Sequence, residues 1–157
     1  MMRRVTMPAR RRECGFSLAE LLVVIAIIGL FCLVAIPAIG NYIRAGRVRS
    51  ANDLLMTDLR AVRYIAITNH ASGSLTIDGT AGTWSYSDIH GRTVLRTLEN
   101  GVKFMSGNAT VTFASDGTAS TGATTIVIQG NVLPSVDHQF TISISTVGRM
   151  TSAFARV

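Results

Sequence analysis

Cysteine is nearly missing from this chain: Cys14 and Cys32 are its two among 157 residues. No Cys or His pair stands at the spacing of a metal site, because His70, His90 and His138 lie far from one another. Charge is scarce as well, at 15% of residues. Asp78, Asp88, Asp116 and Asp137 are isolated acids among turn residues and lack the clustered oxygen donors of a calcium loop. No motif sets a nucleophile beside a base and an orienting group, and no glycine-rich phosphate loop is present. The few aromatics, Tyr42, Tyr64, Tyr86 and Trp84 among them, are not interleaved with basic clusters as a single-strand-binding platform requires. These gaps argue against an enzyme, a cofactor and a motor, and leave a structural or binding protein.

The net charge of +6 first suggests a nucleic-acid partner. Its distribution removes that argument. Arg3, Arg4, Arg10, Arg11 and Arg12 less Glu13 account for +4, leaving +2 from Phe16 onward. The basic footprint belongs to a short N-terminal tail.

Directly after that tail comes Gly15-Phe16-Ser17-Leu18-Ala19-Glu20, and then an uncharged run from Leu21 to Ile43. An apolar segment of just over 20 residues is long enough to cross a bilayer as a helix. A carboxylate at the head of such a helix costs about 2.5 to 3.5 kcal/mol at membrane depth, so Glu20 should have a partner. A secretory signal has a shorter apolar core and a small-x-small cleavage site, and Ala35-Ile36-Pro37-Ala38 offers no such pair. An uncut single-pass anchor shares the hydropathy but leaves the spacing from Gly15 to Glu20 unexplained. Cys32 follows Gly29-Leu30-Phe31, which is not the small-residue context of a lipidation signal. The arginines of the tail outweigh Arg44, Arg47 and Arg49 beyond the run, placing the remainder of the chain outside the cytoplasm.

The charged tail, the Gly15-Phe16 junction, Glu20 five residues after the junction and Pro37 later in the run together resemble the class III signal of type IV prepilins and type II secretion pseudopilins. The resemblance covers about 30 residues. It implies cleavage between Gly15 and Phe16 by a membrane-embedded prepilin peptidase, methylation of the new Phe16 amine, and loss of residues 1–15 as a leader. Cys14 would leave with that leader, so no intramolecular disulfide could form in the mature chain.

Elementary electrostatics gives the spacing a purpose. A freed Phe16 amine, with an ordinary pKa of about 7.7 to 8.0, is largely charged at neutral pH. Glu20 is one helical turn away on the same face. Within one subunit the pair would partly neutralise itself, helped by the positive end of the helix dipole. In a filament of staggered helices, the resemblance implies that Glu20 of one subunit meets the Phe16 amine of another. The penalty on an unpaired buried charge would then select the register.

Pro37 removes a helical hydrogen bond and clashes with the preceding turn, so a kink or loosening is expected there. From Arg44 to Asn69 the pattern becomes amphipathic. Val48, Ala51, Leu55, Leu59, Val62 and Ala66 recur at steps of three and four, with Leu54, Ala61 and Ile65 widening the stripe. Arg47, Asp53, Asp58, Arg60 and Arg63 are expected mostly on other faces. Asn69-His70-Ala71-Ser72-Gly73 reads as the stop.

Beyond Gly73 the composition turns to Thr, Ser, Gly and β-branched residues. Strands are expected at 75–77, 83–87, 93–98, 102–105, 110–114, 124–129 and 140–146, with a turn at Ser115-Asp116-Gly117. The fold class is therefore α+β. Residues 16–43 form a membrane or filament-core helix, 44–72 an amphipathic helix, and 73–157 an antiparallel β head, expected as two small sheets lidded by the stripe.

Two stretches, Val111-Thr112-Phe113-Ala114-Ser115-Asp116-Gly117-Thr118 and Thr146-Val147-Gly148-Arg149, resemble the GspH/FimT-type minor pseudopilins and minor pilins. The partners implied are the prepilin peptidase, other pilins or pseudopilins, the inner-membrane assembly platform and the lipid bilayer. The resemblance implies a single-pass inner-membrane protein with its head outside the cytoplasm, later taken into a filament. FimT-like members that bind DNA use arginines in the C-terminal tail. Arg149 and Arg156 remain here, but Thr151 stands where a second arginine would tighten a Gly-Arg-x-Arg pattern. DNA is thus the rival partner, and Arg149 reads first as a head-surface or subunit-contact residue.

Overall fold

A computed structural model describes residues 17–133 and 136–157. The chain divides between Ala38 and Ile39 into two compact units. One helix, α1 (Leu18–Thr68), runs through both, and eight strands follow: β1 (Gly73–Asp78), β2 (Thr83–Ser87), β3 (Thr93–Thr97), β4 (Val102–Phe104), β5 (Ala109–Phe113), β6 (Thr124–Leu133), β7 (Val136–Ile144) and β8 (Met150–Arg156).

In the first unit, every large apolar side chain from Leu21 to Leu33 is exposed. A helix apolar on all sides has no interior of its own and needs a surrounding medium or neighbours to bury it. Among the described residues, no helix is long and apolar enough to cross a membrane. The described side chains of the apolar run end at Leu33 and resume at Ile39. Pro37 falls inside α1, and the helix continues past it to Thr68.

The second unit holds the core. Its strands form two four-stranded sheets, β3-β2-β1-β5 and β4-β6-β7-β8, antiparallel at every pairing. Alternation sends Leu75, Ile77, Trp84, Val111 and Phe113 of the first sheet inward, together with Ile126, Ile128, Ile142 and Ile144 of the second. Trp84 and Phe104 meet edge to face across the two sheets, 6.1 Å apart. All six residues of the predicted stripe, Val48, Ala51, Leu55, Leu59, Val62 and Ala66, are buried in this core. A Cβ at Gly130 would strike the Val48 side chain, so a glycine in β6 is what lets α1 approach the second sheet so closely.

The helix stops as expected. Ala71 donates to the Ala66 carbonyl at 3.2 Å, and His70 takes the left-handed conformation (φ 50) that a helix end favours.

Three expectations need correction. β6 and β7 extend beyond the expected segments, with a register shift between Gly130 and Leu133. A further strand, β8, follows Arg149, where no strand was expected. β8 has no buried side chain along its length, so it carries no inward apolar rhythm to read, and only its ladder with β7 defines it. On α1, Asp58 is buried and Leu54 is 37% exposed, the reverse of the expected sides.

Candidate functional site

At the start of α1, the Ser17 hydroxyl accepts from the Ala19 amide at 3.2 Å, and the Ser17 carbonyl accepts from Glu20 and Leu21 at 3.0 and 3.2 Å. Ser17 is thus the N-cap. Ser17-Leu18-Ala19-Glu20 also has the order of a capping box, a local signal the spacing argument passes over. Glu20 is the acid of the first turn and is exposed, within reach of the helix's positive end. Gly15 and Phe16 lie outside the described residues.

In the head, one carboxylate organises the contact between helix and first sheet. Asp58 is 3% exposed. Its Oδ2 accepts from Trp84 Nε1 at 2.7 Å, and its Oδ1 accepts from the Tyr86 hydroxyl at 3.2 Å. Arg96 Nε lies 3.6 Å from Oδ2, at the solvent edge. A buried charge is tolerated when its lone pairs are filled, and here a helix acid is filled by neighbouring strands. The sequence carried a signal for it, since Leu55, Asp58 and Val62 are steps of three and four on the buried face.

Burial first, and then the neighbouring Asp58 charge, raise the Tyr86 phenol above its ordinary value. A raised folded pKa means that stability is complete below the ordinary phenol range of about 10 and is lost as pH rises through the folded value. Thermal melts of Tyr86→Phe between pH 9 and about 11.5 are expected to show a shallower alkaline decline than wild type. An equal slope in both proteins contradicts that assignment.

The far end of the head closes on a second helix residue. Arg63 Nε donates to the Gly117 carbonyl at 2.9 Å. Gly117 (φ 81) sits in the expected turn, where Asp116 Oδ1 accepts from the Thr118 amide and hydroxyl. These bonds hold the Asp116 carboxyl below its usual range. The connection from β7 to β8 stacks on that turn: the Ser145 amide donates to the Arg149 carbonyl, the Arg149 amide donates to the Ser145 hydroxyl, and a Cβ on Gly148 would collide with the Gly117 carbonyl. Arg149 leaves this turn exposed, beside Arg60 and Arg63 around a cavity of about 300 Å³ also lined by Val147, Gly148 and Met150.

Arg156, at the other end of β8, lines a different cavity of about 340 Å³ with Tyr42, Ala45, Gly46, Arg49, His138, Phe140 and Phe154. The Phe154 ring stacks with His138 at 5.2 Å and with Phe140 at 5.1 Å. The two tail arginines therefore do not share a site. Folding also interleaves Tyr42 with two arginines, which their separation in sequence conceals. His138 lies in β7, two residues before the segment expected as a strand. Among the described residues, no group of three or more His, Cys, Asp or Glu could hold a metal ion.

The prokaryotic N-terminal methylation motif matches residues 10–36, spanning Gly15, Phe16 and Glu20. The chain is 30% identical over 116 residues to the type IV major fimbrial protein FimA of Dichelobacter nodosus, covering 68% of this chain and 74% of that protein. No solved structure matches.

Proposed function

The chain belongs to the type IV pilin-like proteins, and from that membership we propose that it is a minor subunit of the GspH/FimT type. It is processed by the prepilin peptidase between Gly15 and Phe16 and assembled into a type II secretion pseudopilus or a type IV pilus. Its role is structural, supporting secretion or pilus assembly. Residues 16–43 anchor it in the inner membrane before assembly and lie in the filament core afterwards, loosening near Pro37. The head stays outside the cytoplasm, contacting other pilins and the assembly platform.

The observation that carries this reading is the methylation motif over residues 10–36, with Glu20 exposed in the first turn of a helix whose apolar side chains lack a core of their own. An acid held there unpartnered would be penalised in any apolar medium, and the Phe16 amine is the cation that processing would supply. Mass spectrometry of the purified membrane form tests it. The expected N-terminus is N-methylated Phe16, and a chain starting at Met1 would refute processing.

Minor status rests on the likeness of residues 111–118 and 146–149 to GspH/FimT-type subunits, whereas the relative reported above is called a major fimbrial protein. Quantitative mass spectrometry of sheared filaments decides between them, a small fraction of total subunit being expected.

A second reading, a DNA-binding minor pilin for transformation, is favoured by one observation: Arg149 converges with Arg60 and Arg63 on one cavity without an acid in its lining. On that reading, Arg149→Gln reduces the slope of log affinity against log salt by about 1. An unchanged slope removes it.

A further inference from the structure

From the groove of Tyr42, Arg49, His138, Phe140, Phe154 and Arg156, we propose a binding site for the headgroup of an anionic phospholipid. The inference rests on the membrane-anchored reading above. Arg49 and Arg156 take the phosphate, and the aromatic rings lie against the glycerol and upper acyl chain.

Four observations lead there. First, the groove is lined by aromatic and basic side chains and by no acid. Second, neither Arg49 nor Arg156 has an ion pair among the described residues. The nearest acid along the helix, Asp53, instead accepts from Asn52 at 3.1 Å. Third, the rings are not a sealed core, since Tyr42 is 82% exposed and Phe154 50%. Fourth, on the anchored reading the continuous helix puts the groove at headgroup depth.

The apolar run ends at Ile43, and α1 continues without a break. Arg49 is six residues farther on, which at 1.5 Å per residue is about 9 Å. A headgroup layer is about 5 to 8 Å thick on each side of the hydrocarbon. Tyr42 therefore reaches the hydrocarbon boundary, while an arginine at position 49 can extend back to phosphate level. Aromatic rings with one polar edge settle at that boundary, and guanidinium groups pair with phosphate oxygens through two parallel hydrogen bonds. Nucleic acid offers the same phosphate, but nothing in its chemistry would place the groove next to an apolar run.

The test uses the full mature chain in detergent micelles doped with phosphatidylglycerol or phosphatidylcholine, with retained lipid counted by native mass spectrometry. Each arginine near an anionic surface contributes about fivefold, so wild type should retain phosphatidylglycerol about thirtyfold better. Both arginines are exposed, so the double variant Arg49→Gln/Arg156→Gln should fold and fall to parity. Phe154→Ala should weaken retention of both lipids. Equal retention by wild type, or a preference that survives the double variant, overturns the proposal. So does displacement of the lipid by an equimolar single-stranded oligonucleotide whose own binding is lost in the double variant, which would assign the groove to nucleic acid. Alkaline carbonate extraction reads anchorage separately. Protein that stays in the membrane without a lipid preference defeats this inference alone, while protein released by carbonate defeats the anchored reading and this inference with it.

Discussion

Asp58→Ala should lower the unfolding free energy of the head by about 2 to 4 kcal/mol, because it strands a buried donor as well as removing a charge. Trp84 is 1% exposed and its Nε1–H has Asp58 as its acceptor, so alanine leaves that donor without water or protein to bond. Such an orphan costs about 1 to 3 kcal/mol, and the vacated volume and lost Tyr86 bond add to it. Arg96 contributes little to the loss, since its side chain is 44% exposed and can turn to solvent. The physical origin can be isolated. Asp58→Leu combined with Trp84→Phe removes the buried donor and its acceptor together and should recover much of the stability, because the half-buried Tyr86 hydroxyl that also loses Asp58 can turn to solvent. Urea unfolding of the full chain in detergent, followed by circular dichroism, gives the cycle. A coupling below about 0.5 kcal/mol would show that the bond is not what makes Asp58 matter.

Gly148→Ala should cost about 3 kcal/mol or more, the second large effect. Two penalties combine at this position. Its φ of 74 lies in the left-handed region, which costs a side chain about 1 to 2 kcal/mol. A Cβ there would also collide with the Gly117 carbonyl and come within 3.1 Å of Arg63 Nε, forcing the 145–149 turn away from the Gly117 turn that Arg63 holds. Gly91 separates the two effects. Its φ is 75, yet nothing lies within 4 Å of a Cβ built on it. Gly91→Ala should therefore cost about 1 to 2 kcal/mol, the conformational part alone. If both variants unfold at the same urea concentration, the stacked turns contribute nothing. The Gly-Arg pair at 148–149 then has another explanation.

Local pattern made some of this molecule readable in advance. The steps of three and four from Val48 to Ala66 mark a helix face, and that face is buried. Ser115-Asp116-Gly117 contains a side chain that captures backbone amides and a glycine free to turn left-handed, and the chain turns there. Other features have no local signature. β8 is defined by hydrogen bonds to β7 and by no buried face of its own, so alternation cannot reveal it. Its charge argues for Asp58 facing solvent, even though its spacing belongs to the buried stripe. Its acceptor role depends on Trp84 and Tyr86, in a strand 26 and 28 positions away. The joining of Arg60 and Arg63 to Arg149, and of Tyr42 and Arg49 to Arg156, likewise arises only when the chain end returns along the helix. At the N-terminus the reverse holds. Gly15, Phe16 and Glu20 are meaningful as a linear motif because a peptidase and a neighbouring helix would read them before any head packing matters.

The most direct test of the whole account is the partition of Glu20→Gln protein between membrane and filament. Glutamine keeps the size and helix-forming character of the side chain and removes the charge proposed to meet the Phe16 amine. Cleavage at Gly15 should proceed as in wild type, while the filament-to-membrane ratio, measured by quantitative mass spectrometry of sheared fibres, should fall by about tenfold or more, equivalent to at least about 1.4 kcal/mol of lost pairing. A wild-type ratio for correctly processed Glu20→Gln protein would contradict the account.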